Sequence, residues 1–125
     1  MRVLVVGGAG YIGSICGAHL VAHGHAVTVL DDLSSGHAEA APGPLIRGDI
    51  RDRAVLAQVF RDGRFDAVMH FAARSIVPES VRRPVDTFSV NVGGTVALVE
   101  AMLAADVRAL VFSSTCAVYG EPRTG

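Results

Sequence analysis

Val3-Leu4-Val5-Val6-Gly7-Gly8-Ala9-Gly10-Tyr11-Ile12-Gly13-Ser14, a short aliphatic run that breaks into glycines, sets the architecture of this chain. Four consecutive apolar residues, three of them β-branched, read as a strand buried on both faces. From residue 11 to residue 23 apolar side chains return at helical spacing, with Ile12, Ile15, Cys16, His19 and Leu20 on the face expected to pack on a sheet. Gly24 supplies the stop, and residues 26–30 form a second apolar run of strand length. Strand, helix and strand in so short a span make a βαβ unit with parallel strands.

The alternation continues. A loop rich in Ser, Gly and Pro over 32–44 leads to a short strand at 45–47, a helix over 53–61 with Asp52 as its N-cap, and a strand at 67–71. A loop follows, then a long helix over 84–105 that Pro84 opens, with Val85, Phe88, Val92, Val96, Val99 and Leu103 marking one face. A fifth strand at 109–113 runs into a loop that reaches Gly125. Five strands with helices between them predict an open, doubly wound α/β sheet, and the right-handed crossover rule gives the order 3-2-1-4-5. A ligand crevice then opens between the first and fourth strands, walled by the carboxyl ends at Gly7, Asp31, Phe71 and Ser113.

Composition narrows the function classes. The chain has 125 residues, half of them apolar, 18% charged, with a formal net charge of -1, which predicts one soluble globular domain spanning 1–125. Two cysteines are too few for a disulfide framework, and no uninterrupted apolar run or signal-peptide core marks a membrane or export route, so a cytoplasmic location is expected. All eleven basic residues are arginines, which excludes any lysine-dependent step within these residues. They are scattered and balanced by twelve carboxylates, so no nucleic-acid partner is expected. No metal site is expected, and His70, inside a buried strand with no second histidine or cysteine at ligand spacing, is assigned to the core.

The informative motifs fall at the four strand ends. Gly7, Gly10 and Gly13, with Gly8 as an alternative first member, suit a tight turn whose bare backbone approaches a pyrophosphate at a helix N-terminus; serving a turn alone is the plainer alternative. Asp31 follows 18 residues after Gly13, where a carboxylate accepts both hydroxyls of an adenosine ribose and repels an added phosphate. With no arginine between Arg2 and Arg47, NAD is expected over NADP. Asp32 is equally well a ligand contact or a solvated turn residue. Asp49 could accept the adenine amino group with Ile50 on the ring, or simply cap a turn. Phe71-Ala72-Ala73 bring small residues to the fourth strand end. Asn91, Gly93 and Gly94 inside the long helix call for a reason, since each glycine costs about 1 kcal/mol there: close approach of the helix to the sheet or cofactor loop, with Asn91 tying neighbouring backbone, or a solvent-facing Asn beside a tolerated defect. Ser113 to Gly120 deliver hydroxyls to the crevice. Tyr119 is read as structural, because Gly120 and Pro122 oppose a helix that would pair it with Arg123, and Cys116 as a buried or semi-buried thiol.

The glycine string through Ser14, Asp31-Asp32-Leu33-Ser34-Ser35-Gly36-His37, Gly48-Asp49-Ile50-Arg51-Asp52, His70-Phe71-Ala72-Ala73, Asn91-Val92-Gly93-Gly94-Thr95 and the segment 112–120 together resemble the extended short-chain dehydrogenase/reductase family, closest to its nucleotide-sugar 4-epimerases. The resemblance implies a Rossmann-like NAD domain that stops before a sixth strand and a substrate domain. It implies Tyr11 and Ile12 over the pyrophosphate and Asp31, Asp32, Ser35 and Gly36 around the ribose. Asp49 and Ile50 would then lie at adenine, Phe71, Ala72, Ala73 and Ser75 along the cofactor with Asn91 and Ser113, and Thr115 would be the catalytic hydroxyl. The family's base, a tyrosine assisted by a lysine four residues on, lies beyond Gly125. Ser75 and Val90 depart from residues found in some epimerases, a lysine and an asparagine, and Cys116-Ala117 stand where a dehydratase would carry Asp-Glu. The expectation is therefore the NAD-binding portion of an enzyme of galactose metabolism that interconverts UDP-glucose and UDP-galactose, inactive alone, with a homodimer allowed for the full-length protein. A stand-alone NAD-binding or sensor module, and a sibling nucleotide-sugar decarboxylase, remain the alternatives.

Overall fold

Alternation along β1 (Arg2–Val6) sets the layers: Leu4 and Val6 face one side of the sheet, Val3 and Val5 the other, and all four are buried. The computed structural model describes residues 1–120, apart from the side chains of residues 116 and 117. Within it β1, β2 (Ala26–Asp31), β3 (Leu45–Arg47), β4 (Ala67–His70) and β5 (Ala109–Phe112) form one parallel sheet in the order β3-β2-β1-β4-β5, as the sequence predicts. Register brings the carboxyl ends level, with Val6 opposite Leu30 and His70, and His70 opposite Phe112. The four places that carry the motifs therefore share one edge.

On one face lie α2 (Arg53–Gly63) and α5 (Thr95–Ala104), and the larger core, including Leu4, Leu30, Leu56, Val68 and Leu98, fills the space beneath them. Asp52 caps α2 as expected, its carboxylate accepting from the backbone N–H of Ala54 at 2.9 Å and of Val55 at 3.1 Å. On the other face α1 (Tyr11–Ala22) covers Val3, Val5, Val27 and Val29. Gly24 stops it with φ +80°.

Two predicted helix faces are corrected. In α1 the buried residues are Gly13 and Gly17, with Leu20 partly buried behind them, while Ile12, Ile15 and His19 point to solvent and Cys16 is half-buried. A hydrophobic pattern cannot register a contact made by glycine: a Cβ at Gly17 would stand 2.5 Å from Cγ of Pro42, so the inner stripe is the one without side chains. The long helix is the second case. The segment after β4 holds a short helix the sequence did not mark, α3 (Val77–Arg82), then α4 (Pro84–Phe88), a π-helical stretch Ser89–Gly94, and α5. The buried stripe is Val90, Gly94, Ala97, Leu98 and Met102. Val85, Phe88, Val92, Val96 and Leu103 are exposed, and Val99 is half-buried. Both sides of this helix are apolar, and the widened turn at 89–94 shifts the phase, so periodicity alone selects the wrong stripe. Pro84–Ala104 is long and apolar enough to cross a membrane by composition, yet its inner side packs on α2 and the sheet.

His70 lies in the core as expected, 1% exposed. Thr95 Oγ1 donates to the Asn91 carbonyl oxygen at 2.6 Å, so it accepts from His70 Nε2–H at 2.9 Å and fixes that tautomer. Burial lowers the His70 pKa from 6.5 to about 4. Because the native state holds this group neutral, its stabilising effect is complete above pH 6.5 and is lost as pH falls toward 4. Urea unfolding should find the chain about 2 kcal/mol less stable near pH 5 than near pH 7 through this group, a slope that His70→Phe removes; equal slopes in both proteins would refute the assignment. Asp52→Ala should cost about 1 kcal/mol in the same assay by exposing two N–H groups at the start of α2.

Candidate functional site

Main-chain hydrogen bonds stitch the strand ends into one crevice: Gly7 N–H donates to Leu30 at 2.8 Å, Phe71 N–H to Val6 at 2.8 Å and Gly48 N–H to Asp31 at 3.0 Å. Gly7 takes φ +78°, and a Cβ there would lie 2.5 Å from Ala72 N, so only glycine can make this turn against the loop after β4. A Cβ at Gly13 would lie 2.3 Å from the Gly7 carbonyl oxygen, which pins the first turn of α1 onto the glycine bend. Gly10 is the N-cap and offers no side chain to the first-turn N–H groups, nor is any acidic residue present there. What remains is a helix start with unpaired amides and partial positive charge, suited to an anionic group. Gly36 lies against the Ala9 backbone, and His37 N–H donates to the Ala9 carbonyl at 3.0 Å, so the loop after β2 folds over the same bend.

Asp31 is buried at the end of β2 and already serves the main chain. Its Oδ2 accepts from Ala9 N–H at 3.0 Å and its Oδ1 from Leu33 N–H at 2.8 Å. Each oxygen retains a lone pair for a further donor. Asp32 instead accepts from Ser34 N–H at 2.8 Å, the turn role that was one of its two readings.

Asp49 lines the crevice but is held by Arg51, whose Nη2 donates to Oδ2 at 2.6 Å and whose backbone N–H donates to Oδ1 at 2.8 Å. The Arg51 side-chain hydrogen bonds hold the Asp49 carboxyl below its ordinary pKa, so it stays an acceptor. Arg51 also reaches Asp86 at 3.3 Å, tying this loop to the helix that begins at Pro84. Ile50 is 6% exposed, and a Cβ at Gly94 would meet its Cγ2 at 2.5 Å. Gly94 thus answers the expected close approach of helix and loop. Gly93 does not: it is exposed with open space around it.

Asn91 ties backbone as expected, and does so reciprocally. Its Oδ1 accepts from Arg74 N–H at 2.7 Å, and its Nδ2 donates to the Arg74 carbonyl at 3.0 Å. That commits its amide to the loop that lines the crevice with Phe71, Ala72 and Ala73. Arg74 itself is the residue the sequence did not single out: its Nη1 donates to Ser34 Oγ at 3.1 Å across the crevice. Forty residues separate the two, so no local spacing could reveal the pair.

Gly7, Gly10, Asp31, Asp32, Ser35, Asp49, Ile50, Phe71, Ala72 and Ala73 all line one cavity of about 90 Å³. Gly13 and Gly36 lie outside that lining, Gly13 packed on Gly7 and Gly36 on Ala9. Tyr11 and Ile12 head α1 with their side chains in solvent, and Ser75 is exposed on the adjoining loop. Ser113 N–H donates to the His70 carbonyl at 3.0 Å, which holds the end of β5 beside β4; Ser113 and Thr115 are exposed and lie outside the cavity lining. Tyr119 is 89% exposed. The Cys116 side chain, Pro122 and Arg123 lie outside the described residues.

The chain is 54% identical over 125 residues to UDP-glucose 4-epimerase of Streptomyces lividans, an alignment spanning 97% of this chain and 38% of that protein. The corresponding protein of Corynebacterium glutamicum is 50% identical over 98% of this chain and 37% of its own length. Among solved structures, UDP-glucose 4-epimerase from Brucella ovis in complex with NAD superposes with a TM-score of 0.90 at 44% identity, covering 98% of this chain and 38% of that one. The Thermotoga maritima enzyme with UDP-glucose gives 0.91 at 35% identity, covering 100% and 41%. The chain therefore spans well under half the length of these relatives. Residues 3–125 match the family described as NAD dependent epimerase/dehydratase, and the chain belongs to that family.

Proposed function

We propose that the crevice binds NAD and that this chain is the amino-terminal, NAD-binding portion, residues 1–125, of a UDP-glucose 4-epimerase. One observation carries the reading. The Gly7 bend, pressed against Ala72 and Gly13 where no side chain fits, presents bare amides of α1 next to a buried carboxylate, Asp31, that keeps free lone pairs. Diphosphate and ribose are the pair of groups that such a juxtaposition suits. When bound, NAD supplies the hydride acceptor for oxidation of a sugar hydroxyl. The chain's own residues orient it: α1 amides at the pyrophosphate with Tyr11 and Ile12 above, Asp31, Ser35 and Gly36 at the ribose, Asp49 and Ile50 at adenine, and Phe71, Ala72, Ala73 and Ser75 along its length. Ser113 and Thr115 stand at the end of β5, with Thr115 assigned to the reacting hydroxyl of a UDP-sugar.

Having no lysine, this chain holds no Tyr-x-x-x-Lys pair, and by itself it is not expected to interconvert UDP-galactose and UDP-glucose. A complete protein of this kind would act in the cytoplasm on UDP-sugars, with a homodimer allowed.

Isothermal titration with NAD should give saturable one-to-one binding. Asp31→Asn, which keeps Oδ1 for Leu33 N–H but gives up a charged acceptor, should weaken NAD about tenfold and narrow the preference over NADP; an unchanged affinity would remove the ribose assignment. Gly13→Ala should abolish binding, since its methyl meets the Gly7 carbonyl.

A further inference from the structure

We propose that Arg74 is a strap across the cofactor crevice, latched on Ser34 and Asp32, that must open for the adenosine half of NAD to pass and then recloses over it. The proposal rests on the reading of the crevice as an NAD site and adds a residue that governs passage. Its first support is the way the two ends of Arg74 are held. The backbone end is rigid: Asn91 grips both its N–H, at 2.7 Å, and its carbonyl, at 3.0 Å. Asn91 is in turn anchored by the Thr95 hydroxyl on its own carbonyl and by His70 behind Thr95. The far end is held lightly. Nη1 donates to Ser34 Oγ at 3.1 Å and Nη2 stands 3.9 Å from Asp32 Oδ2, with both charged side chains about one-third exposed. Ion pairs this open to water are worth about 0–1 kcal/mol, so the tip can lift while the root stays fixed.

The second support is room. The cavity under this crossing measures about 90 Å³. Ligand sites for molecules of this kind take about 300 Å³ or more. The residues that approach across it are Arg74 from the β4 side and Asp32 and Ser34 from the β2 side, so the contact that narrows the crevice is the one that can be released. A wall of packed apolar side chains would have no such weak point.

A strap and an ordinary ligand contact differ in kinetics. Losing a contact speeds release and leaves association unchanged, whereas losing a gate speeds both. In stopped-flow experiments on the 125-residue chain at physiological salt, with NADH fluorescence as the probe, Arg74→Ala should raise association and release rates together by about two- to fivefold and move Kd by less than about twofold. Ser34→Ala keeps the guanidinium charge and removes only its seat, and should speed association in the same direction. If neither variant associates faster, the strap is overturned, whether release accelerates or not, while saturable binding by the wild type keeps the NAD reading intact. If the wild type binds no NADH at all, both readings fall together.

Discussion

The contact between the Gly7 bend and the loop leaving β4 constrains everything around it. Main-chain atoms meet there with no space for a single Cβ, and three elements converge on it: β1 delivers the bend, α1 starts from it, and the β4 loop closes against it. Gly13 repeats the condition one helical turn on. Because the helix is drawn this close, its inner stripe has to be small, and its larger apolar residues turn outward. The position of the unpaired amides at the start of α1 and the orientation of that helix are thus one consequence of the same steric limit.

Buried and half-buried polar groups set the opposite wall. From His70 through Thr95 and Asn91 to the Arg74 backbone, a line of hydrogen bonds runs from the middle of the core to the rim of the crevice. The π-helical stretch at 89–94 lies in this line, with the Thr95 hydroxyl bonded to the Asn91 carbonyl inside it. Widened turns of this kind recur where a helix must aim a side chain at a functional site. Arg51 fastens the loop after β3 to the same helical segment through Asp86, so the loops that follow β3 and β4 share one support.

Strand positions and their order were legible in the sequence because each buried parallel strand is an unbroken apolar run, and the crossover rule then leaves one arrangement. The glycine bend, the place of Asp31 at the end of β2, the Asp52 cap and the core assignment of His70 were legible for similarly local reasons. Helix faces were not. In α1 the burying residues are glycines, and along 84–104 apolar side chains cover both sides, so a periodicity argument has no way to prefer the inner stripe. Arg74 escaped notice because its partners, Ser34 and Asp32, are close only once the sheet has formed. Gly94 and Gly93 look alike in sequence, yet one makes room for Ile50 and the other faces open space.

The sheet is lopsided in its protection. β1 is hydrogen-bonded on both sides and almost wholly buried, whereas β5, among the described residues, pairs only with β4 and leaves all four of its residues exposed. Solvent isotope will enter such a molecule from its edges: the amides of β5, and those of β3, which among the described residues pairs only with β2, trade protium for deuterium through small fluctuations, while those of β1 wait for global opening. Exchange lifetimes read across the strands therefore rise from both edges toward β1, lowest at β5, and the longest of them reports the stability of the whole chain.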